Sequence, residues 1–322
     1  MMLLTVSALG AAERELVRTD ELLAPPGTRI VVDAATLDVV VRSGDVRAAE
    51  VSTELSISGV SESKADDWIS RHTPTMTAAD DEIRVVASPG QGGFLGLGMF
   101  TAKARLGLVV PTSSVPDLTT TGGSISVRGD FPAADPLRLR TATGSVEFTG
   151  GAEAIDFRSA SGDARLVVVR PLQRLFARTS SGDVDLEGGS RDATVDTASG
   201  NVFVSGLSGP AEVTTSTGRI TLRWDRVDPS TTIRVRSTSG RIHLVLPENV
   251  RPQGALTTVA GSIRSDFPGI VNDAGDTIEL AGDGPRLEIE TASGEIVLSH
   301  AVGWEGASEY RPPEDEATDD PS

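Results

Sequence analysis

TASGNVFVSGLSGPAEVTTSTGRITLRW, residues 197–224, holds two copies of one unit. In each copy a hydroxyl residue stands three before a glycine, and apolar residues stand two and four after it. The two sets are Thr197, Gly200, Val202 and Val204, then Thr215, Gly218, Ile220 and Leu222. Apolar residues at every second position mark a strand with one buried face. Before the glycine the alternation runs on the opposite parity, as in Ile233 and Val235, so a bend or bulge separates two strands at each corner. On this reading the glycine adopts a backbone conformation closed to other residues.

Working outward, the same element aligns on Gly123, Gly144, Gly162, Gly182, Gly200, Gly218, Gly240, Gly261 and Gly294. The intervals are 21, 18, 20, 18, 18, 22, 21 and 33 residues. A period near 20 held over so many copies is that of a solenoid, whose units bury their apolar edges only by stacking. The long interval is read as an inserted loop around Gly269–Gly284. Ser265 breaks the apolar column four after the glycine, and Ala260 and Gly122 replace the hydroxyl just before it. Three before the glycine, from Thr120 and Thr141 to Thr258 and Thr291, every copy carries Ser or Thr. Such a stack could satisfy backbone groups freed by the bend and link rung to rung, or form a ligand-binding ladder. On the first account, removing the Thr197 hydroxyl costs stability.

Residues 24–112 read as a β-rich cap. TRIVVDA, LDVVVRS and AEVSTELSISG alternate as strands, with two more near Glu82–Ala87 and Lys103–Val110. Ser61–His72 fits a short helix, Ser61 as N-cap and Ala65, Trp68 and Ile69 on one face. Between the last two strands lies PGQGGFLGLGMF, which crowds Phe94, Leu95, Leu97, Met99 and Phe100 into one tip. The tip either packs on the cap or contacts a partner or membrane.

The chain of 322 residues carries a net charge of −17, which opposes nucleic acid and polybasic membrane docking. With no cysteine it has no disulfide, thiolate nucleophile, cysteine-type zinc site or iron–sulfur cluster. No cofactor or metal is expected. His72, His243 and His300 are isolated in sequence, and the calcium-binding G-G-x-G-x-D nonapeptide is absent. Asp163 and Asp183 occupy equivalent corner positions in adjacent rungs, the one carboxylate pair that a polysaccharide-cleaving β-helix could use. Residues 1–12, within a segment and linker running to residue 23, read as an export signal without a basic start, or as an apolar N-terminus. No stretch is long enough for a transmembrane helix. Residues 301–322 form an acidic, disordered tail.

TASG, TSSGDV, TASGNV, TSTGRI and STSGRI, with SESKADDW ahead of them, resemble the bacterial β-strand-repeat family catalogued as putative adhesins. The resemblance spans about residues 25–300. It implies a β-helix-like solenoid, often extracytoplasmic, tied to cell-envelope functions and carrying no defined catalytic residues. The expected architecture is therefore all-β: a right-handed β-solenoid over residues 113–300 with an N-terminal cap containing one helix. The expected function is a non-enzymatic, adhesin-like binding or structural module at the cell surface, with a surface protein or glycan as partner. A carbohydrate-active β-helix enzyme and an envelope-stress or intracellular scaffold acting through the 94–100 tip are the alternatives.

Overall fold

The computed structural model describes residues 12–87 and 100–301. Each repeat is strand, corner, strand, and equivalent strands pair in parallel to give two ladders that face one another across an apolar core. One ladder, upstream of the corners, runs through Val115–Thr119, Leu137–Thr141, Ala154–Ser159, Arg174–Ser181, Ala193–Ser199, Ala211–Thr217 and Thr232–Ser239. The downstream ladder runs through Ile125–Phe131, Val146–Ala152, Ala164–Val168, Val184–Glu187, Val202–Leu207, Ile220–Trp224 and Ile242–Leu246. The fold is thus all-β and solenoid-like, with one helix among the described residues.

Register explains the core. Val184 pairs with Val202, and Leu166 with Leu186, so each inward column stacks like on like, and these side chains are buried. Phe157 is followed in its column by Ala177, a small residue that leaves room for the ring.

Both ends depart from chain order. The last strand, Arg286–His300, lies between Thr232–Leu246 on one side and Gln253–Ser265 on the other, so the rung that comes later in sequence is the inner one. The long interval that suggested a loop contains Ile270–Val271 and Thr277–Ala281, and the latter pairs antiparallel with Gln253–Thr257 over the upstream half of the outer rung.

At the other end Arg29–Asp33 and Asp38–Gly44 form a rung between Val115–Phe131 and the pair Glu82–Val86 and Thr101–Pro111. Much of the segment read as a separate cap therefore continues the two ladders. The added parts are Thr75–Ala78 and an antiparallel extension, Thr101–Pro111 to Ala48–Val60 to Ala12–Leu23. Residues 12–23, read from sequence as the end of a signal and linker, are thus an edge strand; the rest of that segment lies outside the described residues, as does the acidic tail from residue 302. No helix among the described residues is long and apolar enough to cross a membrane.

Candidate functional site

The corner residues form a continuous ladder. A Cβ built on Gly144 would lie 2.0 Å from the carbonyl oxygen of Gly123, and one on Gly200 2.1 Å from that of Gly182. The same contact links Gly123 to Leu37, Gly162 to Gly144, Gly182 to Gly162, Gly218 to Gly200, Gly240 to Gly218, Gly294 to Gly240, and Gly261 to Gly294. Close approach of neighbouring rungs is what demands glycine here. A left-handed backbone, expected at every corner, occurs in this column only at Gly218, Gly240 and Gly294.

Beside the glycines runs a second ladder of short polar side chains. Asp38 Oδ1 accepts the Ser124 N–H at 2.8 Å, Asp163 Oδ1 the Asp183 N–H at 2.8 Å, Asp183 Oδ1 the Asn201 N–H at 2.7 Å, and Asn201 Oδ1 the Arg219 N–H at 3.0 Å. The Asp163 and Asp183 carboxylates are therefore brought to adjacent rungs, each capping an amide that the bend has freed. The basic residues that follow, Arg219 and Arg241, continue the column, and Arg241 pairs with Glu295 at 2.7 Å.

Of the apolar tip, Phe100 alone falls within the described residues, where it is 42% exposed at the start of Thr101–Pro111; Phe94, Leu95, Leu97 and Met99 lie outside them. The strand it leads into lines a groove of about 830 Å³ at the N-terminal end of the solenoid, walled by Lys103 and Arg105, by Glu54 on the adjacent strand and Glu15 on the edge strand beyond it, and by Trp68 and His72 on the helix.

The helix Glu62–His72 takes its position from both ends of its sequence. Ser61 occupies the N-cap without a side-chain cap bond, and Arg14 on the edge strand binds Asp66 at 3.0 Å and Glu62 at 3.4 Å. Ala65 is buried against the sheet. Trp68 and His72, four apart on one face, stack with ring centroids 4.3 Å apart, and the His72 Nδ1 lies 2.8 Å from the Trp68 carbonyl oxygen. The groove thus offers a half-buried aromatic platform with carboxylates and cations on its rim, a surface suited to recognition of a partly polar, partly apolar partner.

A family model described as Toastrack DUF4097 matches residues 28–299. The chain belongs to the Toastrack DUF4097 family. Among solved structures, a putative adhesin from Parabacteroides distasonis ATCC 8503 is 10% identical, with a TM-score of 0.50 over 88% of this chain and 97% of that one. A putative lipid binding protein from the same organism is 13% identical, with a TM-score of 0.48 over 88% and 96%. A putative adhesin from Bacteroides fragilis NCTC 9343 is also 13% identical, with a TM-score of 0.41 over 88% and 96%. No curated protein matches the sequence.

In this Toastrack chain the remaining histidines stay apart. His243 Nε2 lies 2.7 Å from Ser299 Oγ, burial and Arg241 holding its pKa below the usual value, while the His300 ring packs on Phe267. Among the described residues no group of His, Asp or Glu is arranged to hold a metal ion. Sequence reasoning put Trp68 on the buried face of the helix but did not bring it to His72 or to the groove charges. The spacing of Trp68 and His72 was a signal for the stack; nothing local could have brought Glu15, Glu54 and Lys103 together.

Proposed function

We propose that this protein is a non-enzymatic binding module of the bacterial cell envelope, and that its contact surface is the groove under Trp68 and His72 together with Phe100, which leads into one of its walls. The observation that carries this is continuity: exposed Phe100 leads directly into the strand whose Lys103 and Arg105 wall the groove. An exposed phenylalanine leading into a groove with an aromatic platform and a charged rim gives one surface both burial and orientation for a protein or glycan partner. The adhesin names of the structurally similar proteins support a surface role. In this reading the chain is exported, and the solenoid winds right-handed, as parallel crossovers do.

The test is binding of the intact protein to cell-surface proteins and a glycan array, with Trp68→Ala and Phe100→Ser as variants. Each should weaken the same interaction while leaving the β-rich circular dichroism spectrum unchanged. Undiminished binding by both would sink the assignment.

A carbohydrate-active enzyme keeps one specific observation in its favour. Asp185, on the outer face next to Asp183, has its pKa raised to about 6 by burial and by Glu187, against the opposing effect of Arg165. A carboxyl whose pKa is raised beside a second carboxyl is one element that a glycosidase requires. On that reading, Asp185→Asn abolishes release of reducing ends from acidic or neutral polysaccharides.

A further inference from the structure

On the side of the solenoid opposite the glycine corners, where chains cross between rungs, one return differs from its neighbours. The interval from Gly218 to Gly240 is 22 residues where the two before it are 18, and the added length lies in the loop after Ile220–Trp224. Beneath that loop opens a cleft of about 740 Å³, within the range of small-molecule sites. Its walls carry Arg191, Arg226, Asp228, Ser208, Ser230 and Thr232.

The floor is fixed by buried contacts. Trp224 is fully buried and its Nε1–H donates to the Gly209 carbonyl oxygen at 2.9 Å. Gly209 in turn packs so tightly on the Arg191 backbone that a Cβ would lie 2.1 Å from the Arg191 carbonyl oxygen. The loop closes on itself through the Thr231 N–H, which donates to the Asp228 carbonyl oxygen at 3.0 Å. Arg191 and Arg226 are exposed, and neither has an ion-pair partner among the described residues.

Two free guanidiniums on a rigid floor, in a chain of net charge −17, call for an anion. The other groups narrow its class. Asp228 opposes a compact inorganic anion but accepts hydrogen bonds from the hydroxyls of a sugar, and Ser208, Ser230 and Thr232 can both donate to and accept from such hydroxyls. We infer that this cleft binds a carboxylated sugar, a hexuronate unit at an end or within a chain, with the carboxylate on Arg191 and Arg226 and the ring hydroxyls on Asp228 and the serine and threonine side chains. This site is separate from the groove at the N-terminal end and does not depend on its role.

The test is titration of the full chain with oligogalacturonate, followed by calorimetry and by NMR shifts of the arginine side chains. A neutral galacto-oligosaccharide and inorganic phosphate serve as comparison probes. Oligogalacturonate should bind, more weakly as salt is raised, with the neutral sugar and phosphate much weaker. Arg191→Ala and Arg226→Ala should each weaken uronate binding about tenfold or more, while Arg191→Lys and Arg226→Lys should retain part of it. Asp228→Asn should weaken uronate but strengthen phosphate. All three residues are exposed, so unchanged thermal unfolding of the variants confirms that the fold is intact. Absence of uronate binding, equal binding of phosphate by the unmodified protein, or full binding by the double arginine variant would each overturn the assignment.

Discussion

The hydroxyl column is not uniform along its length: Thr215 donates to the Thr217 carbonyl oxygen at 3.0 Å and Thr258 to that of Gly294 at 3.4 Å, while the others fall into two groups. Thr141 Oγ1 accepts the Gly144 N–H at 2.9 Å, Ser159 Oγ accepts that of Gly162 at 2.6 Å, and Thr120 donates to the Gly123 carbonyl oxygen and lies 3.1 Å from Thr141 Oγ1. Farther along, the upstream strands extend through the corner, and the N–H groups of Gly182, Gly200 and Gly240 donate instead to Ser199, Thr217 and Ser293 carbonyls of the next rung. The buried hydroxyls of Thr179, Thr197, Ser237 and Thr291 are then left without a partner. Thr141→Val should therefore cost about 1–3 kcal/mol. Thr197→Val should change stability by less than about 0.5 kcal/mol, or raise it, the outcome expected of a column that is merely packed at this position. Urea unfolding of the two variants separates them. Asp185 supplies a pH test at the same scale. Its folded pKa, about 6, lies above the ordinary aspartate value of 3.8, so the folded state binds the extra proton between these values and stability falls as pH rises through that window. Asp185→Asn should match the parent at pH 4 and exceed it at pH 7.5 in urea midpoint.

At the level of the element, the corner is held by contact rather than by conformational freedom. Gly200 lacks a positive φ, yet its Cα faces the Gly182 carbonyl with no space for a methyl group. Gly200→Ala should cost about 2–3 kcal/mol, because backbone in two rungs must separate. The helix is simpler: its apolar face and the Arg14 ion pairs place it. The strands of the repeats and five of those in the N-terminal segment were legible from alternation to within about two residues, since period-2 burial is a local property, whereas Ala12–Leu23, Thr75–Ala78 and the two strands of the long interval were not. The groove was not, because its walls come from strands far apart in sequence, brought together by antiparallel and parallel pairing, and from a helix held on the edge strand by ion pairs.

Across the whole molecule, the order of rungs is the main departure from the sequence. Ile263 and Ile296 occupy the same inward column, yet Ile296 is fully buried and Ile263 only partly, because the rung Gln253–Ser265 is the outer one. Ile296→Ala should cost about 2–5 kcal/mol, and Ile263→Ala clearly less; stacking in chain order would reverse that ranking in urea unfolding. The same arrangement leaves exposed apolar side chains, Val259, Ile270 and Val271, at the C-terminal end.

The sequence by itself determined the repeating strand–corner–strand unit, its inward columns and the glycine at each corner, because alternation and period are written in neighbouring residues. Ser265, a polar residue in an otherwise apolar column, stands in the rung that the structure places outermost. Only the tertiary structure decided how the rungs are ordered at the two ends, which corner hydroxyls find partners, and which side chains gather in the groove and the cleft. Near-equivalent rungs can pair in several orders with similar local energy. The choice falls to the covering of the open ends, where the better apolar rung gains most from neighbours on both sides and the poorer one can face solvent.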